Sequence, residues 1–242
     1  MTRDVGIGKA IVLAAGVGSR LGTITRDLPK CMVEIDGIPV LERNLRWLVE
    51  WGVRDAAVNL HYLADEVVGH FIDDPVAGVD IFWSHETDLL GTAGTVASLR
   101  EWIDAEPFLL VYADNLFSLD LDAFVSVHRR AGQLVTVALF EREDVSASGV
   151  AELADDGRVI TFIEKPSAAE TQSRLVNAGL LVLEPDVLPL IPERGDLSTD
   201  VLPRLSSEGA LGGYRLRAHE RVLWIDTPKD LERTLSAFGV PA

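Results

Sequence analysis

The feature that most constrains the fold of this sequence is the alternation of short apolar runs with segments of helical periodicity. Strand-length apolar runs occur at Ala10–Leu13, Ala56–Leu60, Asp80–Trp83, Phe108–Tyr112 and Val135–Phe140. Helical patterns between and around them cover Val40–Trp51, Ala64–Phe71, Ala93–Ile103 and Leu121–Arg130. This alternation is typical of a mostly parallel sheet with helices on both faces. The sequence therefore predicts an α/β fold of Rossmann-like type.

The alternation of strands and helices ends at Gly149. Val150–Leu153 and Val159–Ile163 flank Asp155, Asp156 and Gly157, which is the pattern of a β-hairpin. Three more strands and a closing helix with proline in its first turn follow, at Asn177–Leu183, Leu211–Arg217, Val222–Ile225 and Pro228–Phe238. With no repeat or long linker in the chain, we expect one domain over residues 1–242.

Composition excludes several classes of partner. The formal net charge is −16, which argues against binding to nucleic acid or to anionic membranes. No apolar run reaches the length of a membrane helix or signal sequence, so we expect a cytoplasmic protein. Cys31 is the only cysteine, which rules out internal disulfides and a thiolate zinc cluster. Whether the chain forms a homo-oligomer is left open.

The segment Leu13–Lys30, LAAGVGSRLGTITRDLPK, carries the strongest functional signal. Glycines let a backbone approach phosphate closely and turn several N–H groups toward one anion. Arg20 and Lys30 add positive charge to the same segment. This combination suits a nucleoside triphosphate whose α-phosphorus is to be attacked.

Three other interpretations of this segment compete with a phosphate-binding loop. A plain strand-to-helix turn would need glycines for steric reasons only. Gly16, Gly18 and Gly22, with Asp36 further on, loosely resemble a dinucleotide fingerprint, but Thr23–Thr25 and Pro29 interrupt the helix it requires. A Walker-type loop needs Gly-Lys-Ser/Thr, which is absent here.

Two aspartates stand just after strands. Asp114 follows Phe108–Tyr112 and Asp226 follows Val222–Ile225. Ligands of open α/β sheets bind at the carboxyl ends of strands, and Mg²⁺ prefers hard oxygen ligands. An aspartate at such a place can equally cap a turn or the next helix. Position alone therefore leaves both roles open.

The loop and five further motifs together resemble the sugar-1-phosphate nucleotidylyltransferase family. These five are Gly91–Thr95 (GTAGT), Asp114, Phe162–Pro166 (FIEKP), Asn177–Gly179 (NAG) and Trp224–Pro228 (WIDTP), in the family's order. Gly22–Thr25 replaces the family's usual P-L-T, Ala113 precedes Asp114 where glycine is usual, and the last motif is shortened. The resemblance implies the nucleotide-diphospho-sugar transferase fold. Since nothing follows the closing helix, we expect no C-terminal β-helix.

The resemblance also implies the reaction and the residue roles. An NTP and a sugar 1-phosphate would give an NDP-sugar and pyrophosphate, with Mg²⁺ held by Asp114 and Asp226. The N-terminal half would bind nucleotide and the C-terminal half the sugar phosphate. Arg20, Lys30 and Lys165 would be the catalytic cations. The implied nucleotide-binding residues are Leu13, Ala14, Ala15, Gly16, Gly18, Ser19, Arg20, Gly91, Thr92, Gly94 and Asp114. The implied sugar-binding residues are Asn115, Gly149, Glu164, Lys165, Asn177 and Gly179.

The base and the sugar are less constrained. Leu90–Gly94 after Glu86 is similar to guanylyl-type members, so we expect GTP to be preferred, with a sugar or cyclitol 1-phosphate as acceptor. Uridylyl or thymidylyl transfer is the first alternative. Cytidylyl transfer to a phospho-alcohol is another, since Gly37–Leu45 has that character. A non-catalytic nucleotide-sugar sensor is a third, although Arg20, Lys30 and both aspartates are retained.

Overall fold

The computed structural model describes residues 3–238 of the chain. The strands are β1 (Lys9–Leu13), β2 (Glu34–Ile35), β3 (Ile38–Pro39), β4 (Asp55–Leu60), β5 (Asp80–His85), β6 (Phe108–Tyr112), β7 (Asn115–Ser118), β8 (Val135–Glu141), β9 (Gly149–Leu153), β10 (Val159–Glu164), β11 (Leu175–Leu183), β12 (Leu211–Arg215) and β13 (Arg221–Trp224). The α-helices are α1 (Val40–Glu50), α2 (Ala64–Asp73), α3 (Gly91–Ser98), α4 (Arg100–Ile103), α5 (Leu121–Ala131), α6 (Leu202–Ser207) and α7 (Pro228–Ala237). Short 3₁₀ or π turns cover Ser19–Thr25, Lys30–Met32, Pro185–Leu190 and Leu197–Val201.

These elements confirm an α/β fold with a mostly parallel sheet. The predicted strand over Phe108–Tyr112 is found with the same bounds, and the predicted hairpin is the antiparallel pair β9 and β10. The single helix expected over Ala93–Ile103 is wrong, because the backbone leaves the helix at Leu99 with φ −97° and ψ 10°. This break leaves Leu99 and Ile103 both buried, at 3% and 0% exposure.

The chain divides into two compact units, each with its own strands. The first contains described residues 3–89, 111–118 and 222–238. Its strands β1, β4 and β5 lie side by side and run parallel, with Leu13 opposite Asn59 and Asn59 opposite Ser84. Since they run parallel, their carboxyl ends meet at one edge of the sheet.

The second unit contains residues 90–110 and 119–221. Its strand β11 pairs antiparallel with β8 and with β9, and β8 pairs parallel with β12. The single domain expected from the sequence, with its two halves, stays a prediction. Within residues 3–238, no helix combines the length and the apolar character that crossing a membrane requires.

Candidate active site

Strand β1 lies in the core of the first unit, and the glycine-containing loop, Ala14–Arg20, follows it directly. Ala14 and Ala15 are still buried, while Gly16 and Ser19 are exposed. The loop continues into a 3₁₀ turn over Ser19–Thr25 that is kinked at Gly22. It does not lead into the uninterrupted helix that a dinucleotide-binding fingerprint opens.

Two glycines of this loop have different physical requirements. Gly18 has φ +62°, and a Cβ there would lie 3.0 Å from the Cβ of Lys30 and 3.0 Å from the Cγ2 of Thr25. Glycine is therefore required at position 18 by conformation and by packing. A Cβ at Gly16 would meet nothing within 4 Å, so packing inside the protein does not demand glycine there. The open space beside Gly16 leaves its backbone accessible to a ligand.

Lys30 lies between the two aspartates that the sequence singled out. Its Nζ donates to Asp114 Oδ2 at 2.5 Å and to Asp226 Oδ1 at 2.6 Å. The side chain of Lys30 is 10% exposed, against 28% and 29% for the two aspartates. Burial by itself would lower the pKa of Lys30, but the two carboxylates outweigh it and the pKa is raised above the ordinary value. The side chain of Lys30 is therefore positively charged.

Strand pairing explains how Asp114 and Asp226 come together. Asp114 stands between β6 and β7, Asp226 follows β13, and β7 pairs with β13. The N–H of Ile225 donates to the carbonyl oxygen of Asp114 at 3.2 Å, which aligns the two segments. Both segments are anchored in an apolar cluster. It consists of Leu21, Val33, Ile35, Val40, Leu116 and Ile225.

Asp226 does not cap the following helix. The cap of α7 is Thr227, whose hydroxyl accepts from the N–H of Asp230 while the Asp230 carboxylate accepts from Thr227 N–H. This reciprocal arrangement makes Thr227, and not Asp226, the N-cap of α7. The carboxylate of Asp226 is thus directed at Lys30, and Arg20 Nη2 lies 3.4 Å from its Oδ1. The Arg20 side chain is 62% exposed, which leaves most of the guanidinium available to an anion.

The two carboxylates fit a divalent cation. Asp114 Oδ2 and Asp226 Oδ1 lie 2.5 and 2.6 Å from the Lys30 ammonium nitrogen, so a cation in place of that nitrogen would have both oxygens beside it. Within residues 3–238, no group of three or more His, Cys, Asp or Glu side chains is arranged to hold a metal ion. A cation at this pair would therefore complete its coordination with phosphate oxygens and water, as Mg²⁺ commonly does.

In the second unit, the GTAG segment forms the start of α3 and packs on a loop that is distant in sequence. Thr92 donates from its N–H and its hydroxyl to Asp196 Oδ1, at 3.0 and 3.3 Å, and its hydroxyl accepts from Leu197 N–H at 2.8 Å. Gly91 has φ +79°, and a Cβ there would collide with the carbonyl oxygen of Gly195. Glycine at position 91 therefore allows the two segments to approach each other.

These contacts hold Thr92 in place and identify Asp196, a residue that the sequence analysis missed. α3 begins at Gly91, and the hydroxyl of Thr92, a residue that the resemblance implies for nucleotide binding, is bonded to Asp196 and Leu197. No local pattern marks Asp196, because its contact with Thr92 spans 104 positions of the chain.

The remaining candidate sugar residues lie at strand ends, except Asn177 and Gly179, which lie within β11. Lys165, directly after β10, has φ +50° and a 65% exposed side chain, with Nζ 3.6 Å from Glu164 Oε1. A Cβ at Gly149 would lie 2.6 Å from the Phe162 ring and 2.8 Å from Glu164 Oε2, so glycine there makes room for both side chains. Asn177 accepts from Gly179 N–H at 2.8 Å inside β11. Asn115, the first residue of β7, belongs to the first unit.

Comparison with known proteins places the chain in a family. A sequence profile described as nucleotidyl transferase matches residues 9–230. The chain belongs to the nucleotidyl transferase family. The resemblance to sugar-1-phosphate nucleotidyltransferases is thereby confirmed at the level of family.

Nucleotidyl transferases of two specificities are among the curated relatives. A UTP–glucose-1-phosphate uridylyltransferase of Synechocystis sp. is 35% identical over 216 residues, covering 83% of this chain and 56% of the relative. A mannose-1-phosphate guanylyltransferase catalytic subunit beta of Drosophila pseudoobscura pseudoobscura is 32% identical over 228 residues, covering 92% and 60%. The chain thus spans less than two thirds of either relative.

A solved crystal structure has the same fold. The crystal structure of HddC from Yersinia pseudotuberculosis superposes with a TM-score of 0.81 at 24% sequence identity, covering 96% of this chain and 100% of that one. At this identity the likeness establishes the fold alone, which is the nucleotide-diphospho-sugar transferase fold expected from the sequence.

Proposed function

We propose that this protein transfers a nucleotidyl group from an NTP to a sugar or cyclitol 1-phosphate. An oxygen of the sugar phosphate attacks the α-phosphorus, the bond to the β-phosphate oxygen breaks, and pyrophosphate leaves. The observation that carries the proposal is the position of Lys30, a buried cation beside the glycine-containing loop and between two strand-end carboxylates. Such transfer requires positioning and charge neutralisation rather than a protein nucleophile.

The cations divide the work between the two substrates. Arg20 would bind the β- and γ-phosphates, because its guanidinium is exposed and presents paired donors to oxyanions. Lys30 would bind the α-phosphate. Lys165 would bind the sugar phosphate and Glu164 the sugar hydroxyls, since Lys165 is exposed on a strained backbone directly beyond β10.

The two aspartates would hold the metal. Asp114 and Asp226 supply carboxylate oxygens to Mg²⁺, which when bound neutralises charge on the phosphate oxygens. Lys30 would then be free to turn its ammonium from the carboxylates to the substrate. This role for the pair accords with its partial exposure of 28% and 29%.

For the base, we favour GTP with UTP as the second candidate. The Leu90–Gly94 segment after Glu86 is similar to guanylyl-type members, and the mannose-1-phosphate guanylyltransferase relative supports this choice. The uridylyltransferase relative supports UTP. Mispaired polar groups of the wrong base would cost roughly 1–3 kcal/mol each, enough for a tenfold to hundredfold preference.

One assay panel tests the proposal. Each of GTP, ATP, UTP, CTP and dTTP is incubated with mannose, glucose, heptose and cyclitol 1-phosphates and Mg²⁺, and pyrophosphate release is measured. Release that requires both substrates, with the highest kcat/KM for GTP, is the expected result. A higher kcat/KM for UTP or dTTP would reject the guanylyl assignment. Pyrophosphate release with none of the pairs, together with nucleotide binding, would instead favour the sensor.

A further inference from the structure

A buried network of side chains lies at the edge of the sheet from which the glycine-containing loop leaves. Asn59, near the end of β4, is 4% exposed, and Glu86, just after β5, is 7% exposed. Asn59 Oδ1 accepts from the N–H of Ala14 at 2.8 Å, and its Nδ2 donates to Glu86 Oε1 at 2.8 Å. The network thus links the ends of three neighbouring parallel strands.

The contact to Ala14 fixes the last peptide before the loop. Asn59 lies opposite Leu13 in the sheet. The carbonyl oxygen of Leu13 accepts from Ala113 N–H at 3.0 Å, while the N–H of Ala14 is held by Asn59. Both polar groups of this peptide are therefore bound, so rotating its plane would break two hydrogen bonds. The direction in which Ala15 and Gly16 leave the strand depends on that plane.

Glu86 determines which way the Asn59 amide faces. Glu86 Oε1 accepts from Nδ2, which places the nitrogen side of the amide toward Glu86 and leaves Oδ1 for Ala14. Glu86 is itself fixed at its backbone. Its N–H donates to the carbonyl oxygen of Leu60 at 2.8 Å, and His61 Nδ1 donates to its carbonyl oxygen at 2.8 Å.

We propose that Asn59, oriented by Glu86, is the positioning residue that sets the backbone of the loop Ala14–Arg20 for the triphosphate. This inference rests on the proposed function, because it assigns the loop to the nucleotide. Neither side chain touches the reacting atoms in this role. Their effect appears in nucleotide affinity rather than in use of the sugar phosphate.

Three variants test the hydrogen-bond pattern itself. In Asn59→Asp a second carboxylate faces Glu86, and like charges in a buried site repel. In Glu86→Gln the new amide can still offer an oxygen to Asn59. In the double variant, the amide introduced at position 86 donates to the carboxylate introduced at position 59, which still accepts from Ala14. The pattern is thereby restored with exchanged partners.

The measurement is the Kd of each protein for each of the five NTPs with Mg²⁺, by calorimetry, together with KM for both substrates. We expect Asn59→Asp to weaken binding of the preferred nucleotide at least tenfold with little change in KM for the sugar phosphate. Glu86→Gln should stay within about threefold of wild type, and the double variant should recover most of the loss. A general loss of folding would lower the thermal midpoint without this selective rescue.

The two hypotheses fail in different ways. If wild type binds nucleotide and Asn59→Asp binds it equally well, or if the double variant binds no better than Asn59→Asp, the positioning role is wrong and the proposed function stands. If wild type binds none of the five nucleotides, the proposed function is wrong and this inference is wrong with it.

Discussion

Lys30 Nζ lies 2.5 Å from Asp114 Oδ2, although 84 positions separate the two residues in the chain. Asp226, 196 positions from Lys30, accepts from the same nitrogen at 2.6 Å. Two negative charges are thus held together by one ammonium group. A divalent cation that binds the same two oxygens must compete with that ammonium group, because two positive charges in one place repel each other.

Replacing the ammonium should therefore strengthen metal binding to the nucleotide-free protein. Lys30→Met keeps the side-chain length and removes the charge, and we expect Mn²⁺ to bind roughly tenfold more tightly, equivalent to about 1.4 kcal/mol. Electron paramagnetic resonance titration of free Mn²⁺ measures this directly. Nucleotidyl transfer by the same variant should fall by about 10²–10³-fold, by analogy with loss of a transition-state donor.

The control for this variant is Lys229→Met, which removes an exposed lysine three residues after Asp226. It should leave Mn²⁺ affinity within about twofold of wild type, since a lone surface charge contributes little. Equal Mn²⁺ affinities of wild type and Lys30→Met would show that the ammonium does not oppose the metal.

The carboxylates themselves give the complementary prediction. Asp114→Asn and Asp226→Asn should each reduce turnover by about 10²–10³-fold while the thermal midpoint stays near that of wild type. Asp226 is not part of the α7 cap, so its loss should not unfold the helix. Near-wild-type turnover of either variant at limiting Mg²⁺ would contradict the two-carboxylate metal site.

Some of this geometry can be predicted from local sequence, and some of it cannot. The strand over Phe108–Tyr112 is predictable because five consecutive apolar or aromatic residues form a local signal. The β7 segment Asn115–Ser118 is missed, since four residues of mixed polarity carry too little pattern. The aspartates are predicted as a pair from the family resemblance, since their positions after strands leave a capping role open, and the insertion of Lys30 between them depends on tertiary contacts.

The same limit explains why the contacts of Thr92 and Asn59 cannot be predicted from the sequence. The resemblance implies Thr92 as a nucleotide-binding residue, but nothing near it in the sequence shows that its hydroxyl donates to Asp196, 104 positions away. Asn59 ends an apolar run and resembles an ordinary strand-end residue until its contact with Ala14 is seen, 45 positions away. Long-range polar contacts leave no periodic signal in a sequence, so they become visible only in three dimensions.

The proposal that Arg20 binds the NTP and Lys165 the sugar 1-phosphate can be tested separately for each substrate. Arg20→Ala should raise KM for the NTP at least tenfold, and Lys165→Ala should raise KM for the sugar 1-phosphate, because each removes a charge from one phosphate group. Varying one substrate at a saturating level of the other measures the two effects separately. Equal effects of both variants on both substrates would contradict this division.

A buried histidine in the second unit predicts a pH dependence of stability. His128 is 1% exposed, with Nδ1 2.8 Å from Thr136 Oγ1 and Nε2 3.0 Å from Glu184 Oε1. Burial lowers the pKa of His128 below its usual value, although the Glu184 carboxylate acts in the opposite direction. The folded protein therefore holds this side chain neutral at a pH where the unfolded chain is already protonated.

The sign of the effect follows from proton uptake. Below the unfolded pKa of about 6.5, the unfolded state binds more protons at His128, so stability falls as pH is lowered, by about 1.4 kcal/mol for each unit of pKa depression. The His128→Gln variant lacks the side chain that takes up this proton. Its free energy of unfolding, from urea titrations between pH 5 and 8, should decline less steeply than that of wild type, while the exposed-site control His219→Gln should follow wild type. Parallel curves for wild type and His128→Gln would contradict a neutral buried His128, because the lost stability would then arise elsewhere in the chain.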